Sequence, residues 1–235
     1  MPQGSKLVTK PKAQMHIAVV DPGGRVPELD NYNRLVLRNP EVRLSYHLPA
    51  LFGMSSLELI EEKLEAMIIF GSSASVNEGL PWQPSFHSWI KKQMDSGLPT
   101  LGICYGHQLI AHLYGGTVDF ALPSQEKYKG LREINLEKTG FWQGNTGRFV
   151  VSHREVVTSL SCELEKCGGS SEAEFELIRH RMHPIWGIQS HPEAGPEFII
   201  NSAIPLKDNE HEPFKSGDDF MRRFILHMIE LRKAS

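Results

Sequence analysis

The sequence predicts a single-domain α/β protein with a mostly parallel central sheet and helices on both faces. Short apolar runs alternate with amphipathic segments through the first half of the 235 residues. This alternation, joined by short turns, is typical of parallel sheets covered on both faces. Hydrophobic residues make up 40% of the chain and charged residues 23%, which are ordinary fractions for a globular protein. No linker divides the sequence, so we expect a flexible lead-in over residues 1–13 and one domain over 14–235.

Two strands and two helices are predicted before residue 65. His16–Val20 is a β-branched run that ends at an Asp-Pro-Gly-Gly turn, which indicates a buried strand. Leu29–Arg38 has helical spacing, and Val42–Tyr46 is a candidate second strand. Ser56–Leu64 carries apolar residues at helical spacing behind a serine N-cap, so a helix is expected there.

Two further strand–helix pairs follow. Ala66–Phe70 predicts a third strand, and the apolar positions from Phe86 to Met94 predict an amphipathic helix. Thr100–Cys104 predicts a fourth strand, and Gly106–Tyr114 the helix after it. In such sheets the active site lies beyond the carboxyl ends of the strands.

The second half of the sequence contains more strands. The polar segment 201–216 predicts an exposed loop, and Asp218–Arg232 predicts a closing amphipathic helix. The candidate strands are Gly116–Asp119, Arg132–Leu136, Phe149–Ser152, Phe175–Arg179 and Trp186–Gln189.

Composition argues against several functions. The net charge of −3 argues against a nucleic-acid or membrane-surface binder, which needs a basic excess. No apolar run approaches the roughly 18–20 residues that cross a bilayer, and the first residues lack the apolar core of a secretory signal. Three cysteines are too few for a disulfide framework, so we expect a reducing, cytoplasmic setting.

The segment Gly102-Ile103-Cys104-Tyr105-Gly106 has the pattern of a nucleophile elbow between a strand and a helix. Such a turn strains the central residue and needs small residues two positions before and after it, so that the chain can pass itself. The helix N-terminus also favours a thiolate at that position. The alternative is that Cys104 is an ordinary buried cysteine and the glycines are turn residues.

A nucleophilic cysteine needs a base, and the base needs an orienting group. His191 and Glu193 follow the apolar run that begins at Trp186, and residues two apart in an extended chain point the same way. An imidazole and a carboxylate so placed can share a hydrogen bond that fixes the tautomer. The alternative is a polar loop with an incidental His-Pro-Glu.

The pair GICYGHQ and GIQSHPE resembles the class I, or triad, glutamine amidotransferases, and within them the GMP-synthase-like glutaminase domains. The resemblance covers about residues 19–197 and implies a flavodoxin-like fold. It also implies Cys104 as the nucleophile that forms a γ-glutamyl thioester and releases ammonia, His191 as the general acid/base, and Glu193 as the orienter.

The resemblance also suggests an oxyanion hole. The backbone N–H groups of Gly71, in the loop after the third strand, and of Tyr105 are expected to stabilise the developing negative charge. Ser72 and Ser73 stand where the family has Gly-Pro, which puts the geometry of this loop in question. Ser72 is a candidate substrate-binding residue, and a plain polar turn is its alternative reading.

Further substrate-binding positions follow from the same resemblance. Gln108 matches the family glutamine at the substrate amide, unless it is a helix-surface residue. Ser152, His153 and Glu155 match a Ser-His-Gly-Asp segment that holds the α-carboxylate and α-amino groups. Arg154 replaces the glycine there and is either a substrate contact or a solvated charge.

We predict neither a metal nor a cofactor. His107 and His112 are five apart on a helix, so they do not form an i, i+4 zinc pair. The Cys162–Cys167 pair has only Cys104 to join it, and Gly23-Gly24 lacks the rest of a phosphate-binding motif.

Three functions remain open. The first is a glutaminase whose ammonia goes to a synthase on a separate chain, because no ATP-binding motif is present. The second is a stand-alone hydrolase of γ-glutamyl peptides or amides with the same triad, which the departures at Ser72, Ser73, Arg154 and Glu155 favour. The third is a non-catalytic binding module, against which the intact triad argues. Glutamine or another γ-glutamyl compound is the expected ligand.

Overall fold

The described part of the chain, residues 14–205 and 212–234 of a computed structural model, is built around a nine-stranded sheet. The strands are β1 (Met15–Val20), β2 (Val42–His47), β3 (Ala66–Ile69), β4 (Thr100–Ile103), β5 (Thr117–Phe120), β6 (Tyr128–Leu136), β7 (Asn145–His153), β8 (Glu155–Ser159), β9 (Leu164–Gly169), β10 (Leu177–His180) and β11 (Ile185–Ile188). The helices are α1 (Leu29–Arg38), α2 (Pro49–Phe52), α3 (Ser55–Glu58), α4 (Gln83–Asp95), α5 (Tyr105–Leu113), α6 (Pro196–Asn201) and α7 (Glu212–Ala234).

The sheet order is β2-β1-β3-β4-β11-β10-β9-β6-β7, with β5 and β8 in a separate two-stranded sheet. The first five strands of that order are mutually parallel, and the remaining pairs are antiparallel. Only β10 and β6 oppose the common direction, so the prediction of a mostly parallel sheet is confirmed. The order 2-1-3-4 at the parallel edge is that of flavodoxin-like folds.

Helices cover both faces of the sheet, as predicted. Along β1, Ile17 and Val19 face the layer that contains α1 and α7, while Ala18 and Val20 face the layer of α4 and α5. Alternate residues of a strand point to opposite faces, so a strand covered on both sides must be apolar throughout. That requirement explains why these strands read as continuous β-branched runs.

The structure corrects several boundaries. The helix expected over 56–64 is wrong: α3 ends at Glu58 and a 3₁₀ turn follows at Glu61–Lys63. Leu57 and Leu64 are buried while Leu59 is 82% exposed. Two short helical turns therefore bury these two leucines without a continuous helix. The predicted loop 201–216 is also partly wrong, because α6 reaches Asn201 and α7 begins at Glu212.

Four elements were not predicted from the sequence, the first being the four-residue helix α2. β8 lies in the small sheet against β5, and β9 contains two glycines and two charged residues and is held between β10 and β6. α6 has six residues, which is too short to show a helical period. The predicted lead-in 1–13 lies outside the described residues.

The cysteines remain unpaired in the fold. Cys104, Cys162 and Cys167 are all free thiols. Among the helices of residues 14–205 and 212–234, none has the length and apolar character needed to cross a membrane.

Candidate active site

Cys104 occupies a strained turn between β4 and α5. Its φ of +50° lies in a region that residues with side chains rarely adopt, and its N–H donates to the Ile188 carbonyl at 2.9 Å. A Cβ on Gly102 would lie 2.3 Å from the Gly106 carbonyl oxygen, and a Cβ on Gly106 would lie 2.6 Å from the Ile69 carbonyl oxygen. Only glycine fits at either position, which is the steric requirement that the motif predicts.

His191 and Glu193 follow β11, which is the parallel neighbour of β4. The register pairs Ile188 with Ile103, so both strands end at the same level of the sheet. The His191 Nδ1 and Glu193 Oε1 atoms are 2.8 Å apart, and both residues are about 95% buried. The predicted histidine–carboxylate hydrogen bond is therefore present in the structure.

Gly71 lies between the cysteine and the histidine. A Cβ built at Gly71 would be 2.8 Å from His191 Cε1 and 3.5 Å from Cys104 Cβ. The structure thus brings the loop after β3, the elbow and the turn after β11 together at the carboxyl edge of the sheet. A side chain larger than hydrogen at Gly71 would collide with His191.

The charge state of His191 is set by its two neighbours. Burial lowers the pKa of His191, but the Glu193 carboxylate and the Cys104 side chain raise it more, and the net shift is upward. The imidazolium form is therefore stabilised beside the sulfur, as nucleophilic catalysis by cysteine requires.

Two predicted site residues beside the elbow, the oxyanion donor Tyr105 and the substrate-binding candidate Ser72, make different contacts. Tyr105 is the first residue of α5, and the first N–H groups of a helix have no intrahelical acceptor. Its side chain is buried, with its hydroxyl near Gln83 and His87, so only its backbone faces the elbow. Ser72 uses its hydroxyl within the loop, donating to the Pro22 carbonyl at 2.9 Å and accepting from the Ala74 N–H.

A cavity of about 700 Å³, here called the larger cavity, opens beside Cys104. All five candidate substrate-binding residues line it, namely Ser72, Gln108, Ser152, His153 and Glu155. Gln108 is buried rather than on the helix surface, and its Nε2 donates to the Glu155 carbonyl at 2.7 Å. The Glu155 carboxylate accepts from Ser75 Oγ at 2.8 Å, and Arg154 donates to the Ser73 carbonyl. The β7–β8 turn is thereby tied to both the elbow helix and the serine-rich loop.

A cavity of about 200 Å³, here called the smaller cavity, adjoins the larger one and shares Cys104 with it. Cys104, His191 and Glu193 line it together with four residues that the sequence analysis missed, namely Asp21, Arg25, Glu28 and Lys127. Asp21 and Glu28 belong to the loop after β1, and the rule that sites form beyond strand ends could have flagged them. Lys127 belongs to no recognisable motif. A third cavity, of about 710 Å³ between α1 and α7, does not include Cys104.

Asp21 shapes the loop after β1, which lines the smaller cavity. It is fully buried and accepts from the backbone N–H groups of Gly23 and Glu28 and from the Tyr46 hydroxyl. This places Glu28 near the active-site pair, where burial, and then the charge of Glu193, raises the Glu28 pKa to about 7. Glu28 is therefore about half protonated at neutral pH.

Within residues 14–205 and 212–234, no group of three or more His, Cys, Asp or Glu side chains is arranged to hold a metal ion.

Fold and site together define an α/β protein of flavodoxin-like order with a cysteine elbow and an adjacent His–Glu pair. A sequence model described as "Glutamine amidotransferase class-I" matches residues 45–198, which is more than half of the chain. The chain therefore belongs to the class I glutamine amidotransferase family, and the predicted resemblance is confirmed.

Individual relatives extend this result. The chain is 31% identical over 153 residues to a glutamine-hydrolysing GMP synthase subunit of Methanopyrus kandleri, covering 62% of this chain and 78% of that one. It is 31% identical over 222 residues to the glutamine-hydrolysing GMP synthase of Acetivibrio thermocellus, covering 91% of this chain but 39% of that longer protein. The protein is thus similar in sequence to the GMP-synthase group, as predicted.

Solved structures agree at the level of the fold. A glutamine amidotransferase from Thermotoga maritima superposes with a TM-score of 0.74 at 17% identity, covering 93% of this chain and 100% of that chain. Another from Methylobacillus flagellatus gives a TM-score of 0.63 at 14% identity, covering 92% and 96%. These similarities support the predicted flavodoxin-like architecture.

Proposed function

We propose that the protein hydrolyses the side-chain amide of glutamine through a thioester on Cys104. The observation that carries this proposal is the position of the Cys104 elbow beside a buried His191 that is hydrogen-bonded to Glu193. The thiolate attacks the amide carbon, and His191 donates its proton to the leaving nitrogen as the C–N bond breaks. Ammonia leaves, water activated by His191 attacks the thioester, and glutamate and the thiol are released. Glu193 keeps the imidazole in the tautomer that both steps need.

Backbone donors complete the proposed chemistry. The N–H groups of Gly71 and Tyr105 would bind the oxygen that becomes negative in the tetrahedral intermediates, and each such donor is worth about 3 kcal/mol. Support comes from the loop and the helix N-terminus that meet at Cys104.

The amino-acid end of the substrate is assigned to the larger cavity. Glu155 is proposed to bind the α-amino group, and the Ser152–His153 segment to bind the α-carboxylate. The Ser72 hydroxyl already donates to the Pro22 carbonyl, so Ser72 would contribute its backbone N–H. Gln108 uses its amide nitrogen to hold Glu155, which leaves its oxygen for the substrate amide. All of these residues line the same cavity as the sulfur.

We also propose that the ammonia is used by a synthase on a separate chain, in a cytoplasmic setting. The Methanopyrus kandleri relative is named as one subunit of its synthase, which supports the first part. Exposed apolar side chains support it further. Val26 (71% exposed) lies on the loop after β1, Leu29 begins α1, and Ile200 (69% exposed) lies on α6. Val26 also lines the smaller cavity. Exposed apolar surface beside a functional cavity is typical of docking sites.

A second candidate is a self-sufficient hydrolase of γ-glutamyl peptides or amides. The size of the larger cavity, about 700 Å³, favours it, because cavities of this size hold ligands much larger than a single amino acid. The chemistry at Cys104 is the same, with a longer amine in place of ammonia.

The test measures glutamate release by the purified chain from L-glutamine and from a panel of γ-glutamyl dipeptides. Cys104→Ala is the blank, and Cys162→Ala, which removes an exposed thiol outside both cavities, is the matched control. Cys104-dependent turnover, or labelling of Cys104 by a glutamine-like electrophile, is the expected result. Full activity of Cys104→Ala would overturn the proposal.

A further inference from the structure

The position of the general acid assigns a place to the leaving group. His191 must reach the scissile nitrogen in order to protonate it, and His191 lines the smaller cavity but not the larger one. Cys104 lines both cavities. The glutamyl part of a substrate therefore occupies the larger cavity, and the leaving amine occupies the smaller one. This assignment rests on the proposed thioester chemistry.

The larger cavity contains an adjacent acidic and basic pair that matches an amino-acid head. Glu155 and the adjacent Arg154 line it and do not line the smaller cavity. A carboxylate and a guanidinium side by side complement the α-ammonium and α-carboxylate of a γ-glutamyl compound. Two side chains that line only the larger cavity thus match the charges of the glutamyl part, next to Ser152, which lines both cavities.

The carboxylates of the smaller cavity already have partners. Asp21 accepts three hydrogen bonds from its own loop and Tyr46, and Glu193 binds His191. Glu28 accepts from the Asn31 amide at 3.2 Å, and its pKa of about 7 leaves it only partly charged. None of the three is available as a full, unpaired negative charge.

The cations of this cavity are in a different situation. Arg25 and Lys127 line both cavities, and neither forms an ion pair with a carboxylate of the described residues. Burial lowers the pKa of Lys127, while Cys104 and Glu28 act in the opposite direction, and Lys127 lines both cavities together with Cys104. Neither cation therefore has a carboxylate at salt-bridge distance, although Glu28 acts on Lys127 from farther away.

We propose that Arg25 and Lys127 bind a carboxylate on the leaving amine, so that the preferred substrates are γ-glutamyl amino acids with a free carboxylate. In such substrates the carboxylate is one carbon from the scissile nitrogen, so a cation that lines the cavity next to Cys104 can reach it. The cavity has about 200 Å³, whereas an ammonia-sized molecule occupies roughly 30 Å³. His191 protonates the nitrogen, the C–N bond breaks, an amino acid leaves, and water then frees glutamate from Cys104.

The test compares γ-glutamylglycine with γ-glutamylglycinamide, which differ only in the leaving-group carboxylate, and includes L-glutamine. The wild-type protein is expected to prefer the free carboxylate by roughly tenfold in kcat/KM, the lower end for a hydrogen bond to a charged group. In the double variant Arg25→Gln/Lys127→Gln the ratio should fall to about one. Lys129→Gln, on β6 and outside both cavities, is the matched control and should keep the wild-type ratio.

The outcomes separate this inference from the proposed function. Equal turnover of both compounds, a preference that survives in the double variant, or turnover of L-glutamine alone overturns the inference and leaves the proposed function standing. Absence of Cys104-dependent turnover of all three substrates overturns both. Added salt should reduce the wild-type preference, because screening weakens attraction between exposed charges.

Discussion

Replacing Gly71 with alanine is expected to disable the active site while the fold persists. The added Cβ would lie 2.8 Å from His191 Cε1, whereas carbon atoms pack at about 3.5–4.0 Å. The imidazole must therefore retreat by roughly 0.7 Å or more. Misplacing a catalytic group by about 1 Å costs on the order of 100-fold in rate, so we expect kcat/KM to fall by roughly 10- to 100-fold. The overpacking itself should cost about 1–3 kcal/mol of stability.

The assay is steady-state glutamate release, with urea unfolding measured on the same preparations. Gly24→Ala is the control, because a Cβ there meets no atom within 4 Å and its backbone is not in a left-handed conformation. It should remain close to wild type in both measurements. A Gly71→Ala protein whose kcat/KM stays within threefold of wild type would refute the placement of His191 against this glycine.

Three further predictions concern charge. Glu193→Gln removes the carboxylate that raises the His191 pKa, so the basic limb of the pH profile of kcat/KM should move to lower pH. The kcat should fall by up to roughly 10⁴-fold. An unshifted profile would contradict the role of Glu193. In the native protein Arg132 pairs with the fully buried Glu176 at 2.7 Å. Arg132→Met removes this ion-pair partner and should lower the free energy of unfolding in urea by about 3–5 kcal/mol. A loss below about 1 kcal/mol would speak against this role. The pKa of buried His107 is lowered by desolvation to about 4 from 6.5, so the unfolded chain binds more protons between these values. The free energy of unfolding should therefore fall as pH drops from 6.5 to 4, with about 1.4 kcal/mol per pH unit from this residue, and His107→Gln should flatten that dependence in equilibrium unfolding.

The parallel half of the sheet was predictable because its strands are buried on both faces. Such strands must be apolar at every position, and runs like Ala66–Ile69 stand out from any other segment. The antiparallel edge was harder to predict. β9 is Leu-Glu-Lys-Cys-Gly-Gly, which has weak strand propensity, and its pairing with β10 and β6 determines its conformation.

The residues of the site likewise divide into those that local sequence constraints predict and those that only tertiary contacts reveal. Cys104 was predictable because a strained elbow needs glycine at fixed offsets, and this constraint is local. Lys127 was not predictable, because it lines the cavities beside the sulfur from a loop remote in sequence and carries no motif. Ser72 illustrates a third case, since its hydroxyl could be predicted to be polar and near the site, but not to be occupied by Pro22 and Ala74.

The sequence by itself determined the class of the fold, the elbow, and the identity of the residues at its centre, because each depends on local spacing and on side-chain chemistry. Only the tertiary structure decided which charged groups line the cavities beside the sulfur. That outcome depends on strand order: β4 and β11 are adjacent in the sheet although about 80 residues separate them, and the loops after β1 and before β6 converge on the same edge. The unpaired Arg25 and Lys127 therefore emerge as a feature of the folded protein.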